Sequence, residues 1–344
     1  MRTDDDLALD ALLWPFEAGL LAWVPARTAF LHAREGVALH ARDTAGLACM
    51  QPWKPAFDAL QRAGLEVAPT LEAGRHFDTV LALPPRQREQ ARALLVQAID
   101  HAAPGGRVVV AARNDEGGRS LADDLARIAG PVASEGRSKS RVAWTAPLNG
   151  PADADLAAQW RAGDAPRAVP GTGLVSRPGV FAADRIDVAT QLLIDHLPTD
   201  LRGRVADLGA GWGVLSHAVL ARSPGITSVD GYEADARAVE LARANLANAR
   251  VPVAVHWHDV TRGVDARFDA IVCNPPFHAQ GRDARVDIGR RFLEVDADAL
   301  HPRGRLWLVA NRQLPYEATL ASRFGRITPH AQAHGFKVIE AVRA

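Results

Sequence analysis

The chain has 344 residues, 48% of them apolar, and its 40 basic and 40 acidic side chains cancel to a formal net charge of zero. That length predicts two domains with a core each, and the charge balance excludes a strongly electrostatic, sequence-blind nucleic-acid binder, so any RNA contact must come from a local patch. Two cysteines, Cys49 and Cys273, exclude a disulfide framework and point to a reduced cytoplasm; the acidic start is expected to open no signal peptide, and no apolar run nears the roughly 20 residues that span a bilayer.

In chain order, the first informative segment is Phe77-Asp78-Thr79-Val80-Leu81-Ala82-Leu83-Pro84-Pro85, an apolar run stopped by two prolines that cannot continue a β-ladder. Pro104-Gly105-Gly106 then turns into the buried-strand pattern Arg107-Val108-Val109-Val110. Both features recur. Phe268 to Pro276 repeats the first 191 residues later, and Pro302-Arg303-Gly304 precedes Arg305-Leu306-Trp307-Leu308. The repeat predicts an α/β protein of two tandem doubly wound, Rossmann-like domains. The first copy has Leu83 where the second has Asn274, and it lacks an Asp followed by G-x-G-x-G. A hydrocarbon side chain accepts no hydrogen bond, so the first copy is expected to be degenerate and catalytically dead. Its expected span is 1–147, serving substrate recognition or structural support. A linker rich in proline and glycine follows at 148–171, around a short helical stretch at Asp155 to Arg161. The second copy is expected to fill 172–344.

Within that second copy Asp184 to His196 reads as an amphipathic helix, with Asp184 placed to cap it. Strands are predicted at 204–208, 226–232, 252–257, 268–273 and 304–310. Helices at 213–222, 235–248 and 286–299 intervene, at the alternation of βαβ units. Gly325 to Arg343 has little helical period and predicts two antiparallel strands turning at His334-Gly335, which completes a mixed seven-stranded sheet.

Two motifs carry chemistry. Val205-Ala206-Asp207-Leu208-Gly209-Ala210-Gly211-Trp212-Gly213 is a short strand running into glycines at alternate positions, which permit tight turning and close approach of backbone to a ligand. The spacing differs from the G-x-G-x-x-G of dinucleotide sites. Asp207 would repel a pyrophosphate and attract an ammonium group. Glu233 stands 20 residues beyond Gly213, at the end of the next apolar strand, where a carboxylate can accept from both ribose hydroxyls. A cofactor with an amino-acid end and a nucleoside end, S-adenosylmethionine, satisfies the whole set. The second motif is Asn274-Pro275-Pro276-Phe277 at the carboxyl end of a strand, the edge where open α/β sheets bind ligands. Alone it is only a loop signal. Beside the glycine loop, the Asn274 amide oxygen and the Pro275 carbonyl make two acceptors suited to a planar amino group, with Phe277 as a stacking face.

The segment from about Pro178 to Ala344 resembles the class I S-adenosylmethionine-dependent methyltransferases. More narrowly it resembles the bacterial 16S ribosomal RNA guanine-N2 methyltransferases of tandem-domain type. The matching residues are Pro178-Gly179-Val180-Phe181, Asp187-Val188, Gln191-Leu192-Leu193, the Asp207 loop, Asn274-Pro275-Pro276-Phe277-His278, Val309-Ala310-Asn311, Leu314-Pro315-Tyr316 and Phe336-Lys337-Val338. The resemblance implies methyl transfer from S-adenosylmethionine to a guanine N2 of 16S rRNA, free or in the 30S subunit, without metal or membrane. It places Asn274, Pro275, Pro276 and Phe277 at the reacting base. Phe181, Gln191, Asp207, Gly209, Gly211, Gly213, Glu233, Asp259 and Asn274 would lie around the cofactor. For Asp259 a helix-capping role is an equally good account. His256 and His258 share a strand face, yet no Cys or carboxylate completes a metal site. His278 either contacts substrate or shapes the turn. Arg282, Arg285, Arg290 and Arg291 suit RNA phosphates or a solvated helix face. An internally duplicated chain can work as a monomer.

Two rival readings remain at this stage. One is a methyltransferase with another acceptor: a large-subunit guanine, adenine N6 or a protein glutamine, although those last two carry Tyr where this chain has Phe277. The other is a non-catalytic RNA-binding pair of degenerate domains, which the intact Asp207, Gly209, Gly211, Gly213, Glu233 and Asn274 oppose.

Overall fold

The computed structural model describes residues 6–276, 282–313 and 316–344. The chain divides into two compact units, one running to Ala165 with Arg177–Gly179, the other comprising Pro166–Ser176 and Val180–Ala344.

The first unit contains strands β1 (Thr28–Leu31), β2 (Ala48–Met50), β3 (Glu66–Ala68), β4 (Phe77–Ala82), β5 (Ala102–Arg113), β6 (Val132–Arg137) and β7 (Ser140–Thr145). Its helices are α1 (Leu7–Glu17), α2 (Val37–His40), α3 (Lys54–Arg62), α4 (Arg88–Asp100), α5 (Gly118–Ala129) and α6 (Ala154–Gly163). The sheet order is β3-β2-β1-β4-β5-β7-β6, parallel except for β7 against its two neighbours. Successive residues along β4 and at the position just past its end feed opposite cores: Val80 and Ala82 face one cluster, Leu81 and Leu83 the other. Burial on both faces is why this strand reads as an unbroken apolar run.

The second unit opens with a two-strand hairpin, β8 (Arg167–Ala168) and β9 (Val175–Ser176), and helix α7 (Val188–His196). There follow β10 (Arg202–Leu208), α8 (Val214–Arg222), β11 (Gly225–Glu233), α9 (Ala236–Asn245), β12 (Val253–Trp257) and β13 (Phe268–Cys273). The chain ends with α10 (Arg282–Asp298), β14 (Leu300–Asn311), α11 (Glu317–Arg323), β15 (Arg326–Ala333) and β16 (Phe336–Val342). The sheet order, β12-β11-β10-β13-β14-β16-β15, repeats that of the first unit. Even the irregularity recurs: the parallel pairing slips between Phe77 and Thr79 in one unit and between Phe268 and Ala270 in the other. The last two strands turn at His334 and Gly335, both with positive φ, as a tight hairpin requires.

Three local expectations change. In the segment 148–171 the expected helical stretch forms as α6 but belongs to the first core instead of a free linker: Asp153 caps it by accepting from the Leu156 N–H at 2.9 Å, and Ala157 and Trp160 are buried there. Val169 and Leu174, beyond the division, join a cluster with Trp212 in the second unit. Helix α7 begins at Val188 because Asp187 caps it, accepting from the N–H groups of Ala189 (2.9 Å) and Thr190 (3.2 Å). Asp184 lies outside the helix and pairs with Arg185. Helix α9 stops at Asn245, whose side chain turns back to bind other backbone.

No helix among the described residues is long and apolar enough to cross a membrane.

Candidate active site

β10 delivers the chain into the glycine loop, where Gly209, Gly211 and Gly213 have φ of 83°, 54° and 89°. Three left-handed residues at alternate positions explain the sequence pattern, because only glycine takes that conformation without strain. The loop hangs on the neighbouring strand: the N–H groups of Gly209 (2.9 Å) and Ala210 (3.0 Å) both donate to the Tyr232 carbonyl. Glu233, at the end of β11, accepts from Gly211 N–H through Oε2 and from Asp235 N–H through Oε1, each at 2.8 Å. Burial pushes Glu233 up to about 7, against the lowering effect of those two bonds.

Asp207 is fully buried. Its Oδ2 accepts from the backbone N–H (2.9 Å) and hydroxyl (2.8 Å) of Ser216, tying the end of β10 to the first turn of α8. Its Oδ1 is buried with no partner among the described residues. Desolvation raises this carboxyl to about 6, the Ser216 bonds opposing. The side chain therefore stands behind the loop, directed at α8, and does not line the cleft.

β13 ends beside β10, with Cys273 Sγ donating to the Leu208 carbonyl at 3.2 Å. The next residue, Asn274, donates from Nδ2 to Thr190 Oγ1 on α7 at 2.8 Å. Its Oδ1 is buried and lacks a partner among the described residues. Pro275 is buried and Pro276 exposed. Phe277 and His278 lie outside the described residues, as do Leu314 and Pro315.

A cleft opens here, lined by Phe181, Asp187, Thr190, Gly209, Gly211, Trp212 and Asn274 among others. Phe181, Gly209, Gly211 and Asn274 thus come together as the sequence predicts, and Glu233 joins through its bond to Gly211. Gly213 supports the loop from behind, where a Cβ would meet Leu246 at 3.2 Å. Gln191 is a correction. It is exposed on the far side of α7 and donates to Asp195 at 2.7 Å, one helical turn on. Asp259 accepts from the N–H (3.0 Å) and hydroxyl (2.6 Å) of Thr261, so capping is what the geometry shows. His256 bonds Asp230 at 3.1 Å and His258 the Gly263 carbonyl at 2.7 Å. Arg291 donates to the Thr261 carbonyl (2.8 Å) and pairs with Glu294, while Arg290 approaches Asp287. A larger cleft of about 490 Å³ lies around Tyr232, Arg243, His256 and Asp265, and holds none of the expected cofactor or substrate residues.

The methyltransferase small domain family model matches residues 171–340. The ribosomal RNA small subunit methyltransferase C of Shewanella amazonensis is 31% identical over 270 residues, 76% of this chain and 76% of its own length. The chain belongs to the ribosomal RNA small subunit methyltransferase C family. A second member, from Shewanella loihica, is 30% identical over 78% of each chain. Among solved structures, the T. thermophilus 16S rRNA methyltransferase acting on N2 of guanine 1207, in complex with AdoMet and guanosine, is similar with a TM-score of 0.80 at 26% identity, over 100% of this chain and 93% of that one.

Family resemblance in the sequence leaves three side chains of this methyltransferase C site unmarked. Thr190 holds Asn274. Trp212, inside the glycine loop and buried, donates from Nε1 to the Phe181 carbonyl at 3.1 Å and so pins one cleft wall to the other. Asn245 accepts from Val175 N–H (2.8 Å) and donates to the carbonyls of Val175 (2.9 Å) and Trp212 (2.7 Å). A tryptophan between two required glycines was a visible signal; the two partners of long sequence separation gave none.

Proposed function

We infer that this chain transfers a methyl group from S-adenosylmethionine to the exocyclic N2 of a guanine in 16S rRNA, as a cytoplasmic monomer working on the 30S subunit or its RNA. The observation that carries the reading is the buried, unpartnered Oδ1 of Asn274 at the carboxyl end of β13. A buried acceptor without a donor costs about 1–3 kcal/mol, a penalty relieved when a ligand brings an N–H group. The Pro275 carbonyl follows directly in the chain and supplies a second acceptor for the other hydrogen of the amino group.

The residues present fit the cofactor. Left-handed Gly209 and Gly211 let backbone approach a ligand closely, and a Cβ at Gly211 would stand in open space at the cleft wall. Glu233 keeps lone pairs free of its two backbone donors, as hydroxyl recognition requires. Asp207 holds the loop to α8 and adds negative charge behind it, an indirect form of the ammonium recognition expected from sequence.

A sulfonium methyl carbon is already electrophilic, so the protein's task is alignment, which can supply about 7–11 kcal/mol of the barrier. Guanine N2 is a poor nucleophile because its lone pair is delocalised into the ring. Donating its two N–H groups to Asn274 Oδ1 and the Pro275 carbonyl fixes the amino plane and draws electron density onto nitrogen. The base leaves its stack to reach the cleft, at a few kcal/mol. No general base is required of the protein: the proton lost from nitrogen after transfer passes to water. Arg290 and Arg291, which follow the motif on α10, spend their charge on intrachain contacts.

The test is tritiated methyl transfer to undermethylated 30S particles, free 16S RNA, 50S particles and release factors in parallel. Label recovered as N2-methylguanine from 16S RNA is expected. Label in 50S RNA or protein would move the acceptor elsewhere. Asn274→Ala is expected to keep S-adenosylhomocysteine binding and lose transfer by about 10²-fold or more. Loss of both would make Asn274 a structural residue.

A further inference from the structure

An amide has two ends, and only one can serve the substrate. We propose that Thr190 is a positioning residue for methyl transfer: its hydroxyl holds Asn274 Nδ2, so that Oδ1 is the end presented to the acceptor's amino group. The inference rests on the reading of Asn274 given above and deepens it.

Asn274 Nδ2 lies 2.8 Å from Thr190 Oγ1, and both residues line the cleft. Thr190 is 7% exposed, and its backbone is anchored by Asp187, which receives the N–H groups of Ala189 and Thr190. The support therefore runs from Asp187 through the first turn of α7 to Thr190, and from there across to the end of β13. An asparagine amide turned by 180° would present N–H groups to the N–H groups of the substrate, donor against donor. A hydroxyl both donates and accepts. With an amino group in the cleft, Oδ1 must face it, and the hydroxyl satisfies Nδ2 only by accepting. Take the hydroxyl away and the productive orientation leaves a buried donor unpaired, so the amide is no longer held where transfer needs it.

The experiment compares wild type, Thr190→Val and Thr190→Ser for methyl transfer to 16S RNA under saturating cofactor, with thermal stabilisation by S-adenosylhomocysteine measured on each. Thr190→Val matches threonine in shape and lacks the hydroxyl; its kcat is expected to fall by roughly 10–10²-fold, with the stabilisation by S-adenosylhomocysteine and the KM for cofactor unchanged. Thr190→Ser, which restores the hydroxyl, is expected to return kcat to within about threefold of wild type. Thr190→Ala gives the same comparison should valine fail to pack. Wild-type kcat in the valine or alanine variant, or loss of cofactor binding together with activity, would overturn the proposal and leave Thr190 a packing residue. Failure of the underlying reading shows separately, as wild-type label on an atom other than guanine N2; the valine and serine arms then judge Thr190 on that acceptor.

Discussion

Glu233 is expected to carry two pH dependences of opposite sign. Burial lifts its carboxyl from the ordinary 4.5 to about 7 although Gly211 and Asp235 both donate to it. The ligand-free fold thus holds this proton more tightly than the unfolded chain does. Its contribution to stability is fully present below about 4.5 and is lost as pH rises through about 7. On the proposed role of Glu233, ligand binding is expected to run the other way, because ribose hydroxyls would donate to the carboxylate and less well to the neutral acid. Affinity for S-adenosylhomocysteine, measured by calorimetry, is expected to rise between about pH 6 and pH 8 in wild type and to be lower and flatter in Glu233→Gln. Buried Asp207, raised to about 6, adds a slope of the same sign to ligand-free stability, so the variant is needed to isolate Glu233. A flat wild-type affinity profile would remove the carboxylate from the nucleoside end. Residue type at strand ends was legible in the sequence: Asp207, the three glycines, Glu233 and Asn274 stand where local pattern put them. Side-chain direction was not. Thr190 and Gln191 are neighbours about 100° apart on one helix, and the resemblance picked out Gln191, whereas it is Thr190 that reaches the cleft.

At the scale of elements, the cleft depends on a clasp that no local signal announces. Asn245, the last residue of α9, bonds the N–H and carbonyl of Val175 in β9 and the carbonyl of Trp212 in the glycine loop. Trp212 in turn carries the Phe181 carbonyl. Two pieces of chain, 33 and 70 residues from Asn245 in sequence, are brought into register with α9 by one amide. Elements themselves were readable from period and punctuation: β13 matches its expected ends, and the antiparallel pair β15–β16 turns at the expected His334-Gly335. Errors fell at termini, where a single side-chain contact decides the boundary, as with Asp187 capping α7 in place of Asp184. Asn245→Ala removes three bonds and strands partly buried backbone groups, a loss of about 2–4 kcal/mol. It is expected to lower Tm and to weaken S-adenosylhomocysteine binding, since Phe181 and Gly211 share the clasped walls. An unchanged ligand affinity with lowered Tm would show that the clasp stabilises the fold without shaping the cleft.

Over the whole molecule, duplication has produced one sheet plan with two outcomes. Strand order is the same in both halves, and so is the slip between β4 and β5 and between β13 and β14. A close-packed glycine precedes each of the long strand's buried segments, Gly106 in one and Gly304 in the other. The difference lies at the carboxyl edge. After β1 the chain has no run of left-handed glycines. A Cβ at Gly36 would come within 2.6 Å of Leu9 Cδ2, and Arg34 bonds Asp6, so the chain after β1 is packed against α1 and its cap. Leu83, at the position of Asn274, is 1% exposed and packs with Phe30, Leu81 and Val109. Degeneracy here means that a ligand edge has become core. Leu83→Asn should therefore restore nothing. The amide would enter an apolar cluster with no hydroxyl like that of Thr190 to receive it, forfeiting leucine burial and leaving polar atoms unpaired, at about 3–5 kcal/mol. In an Asn274→Ala background this change is expected to lower the first thermal transition by several degrees and to return no methyl transfer. Recovered transfer would show that the first edge still binds cofactor and base, and that its silence rests on one side chain instead of on an edge turned to core.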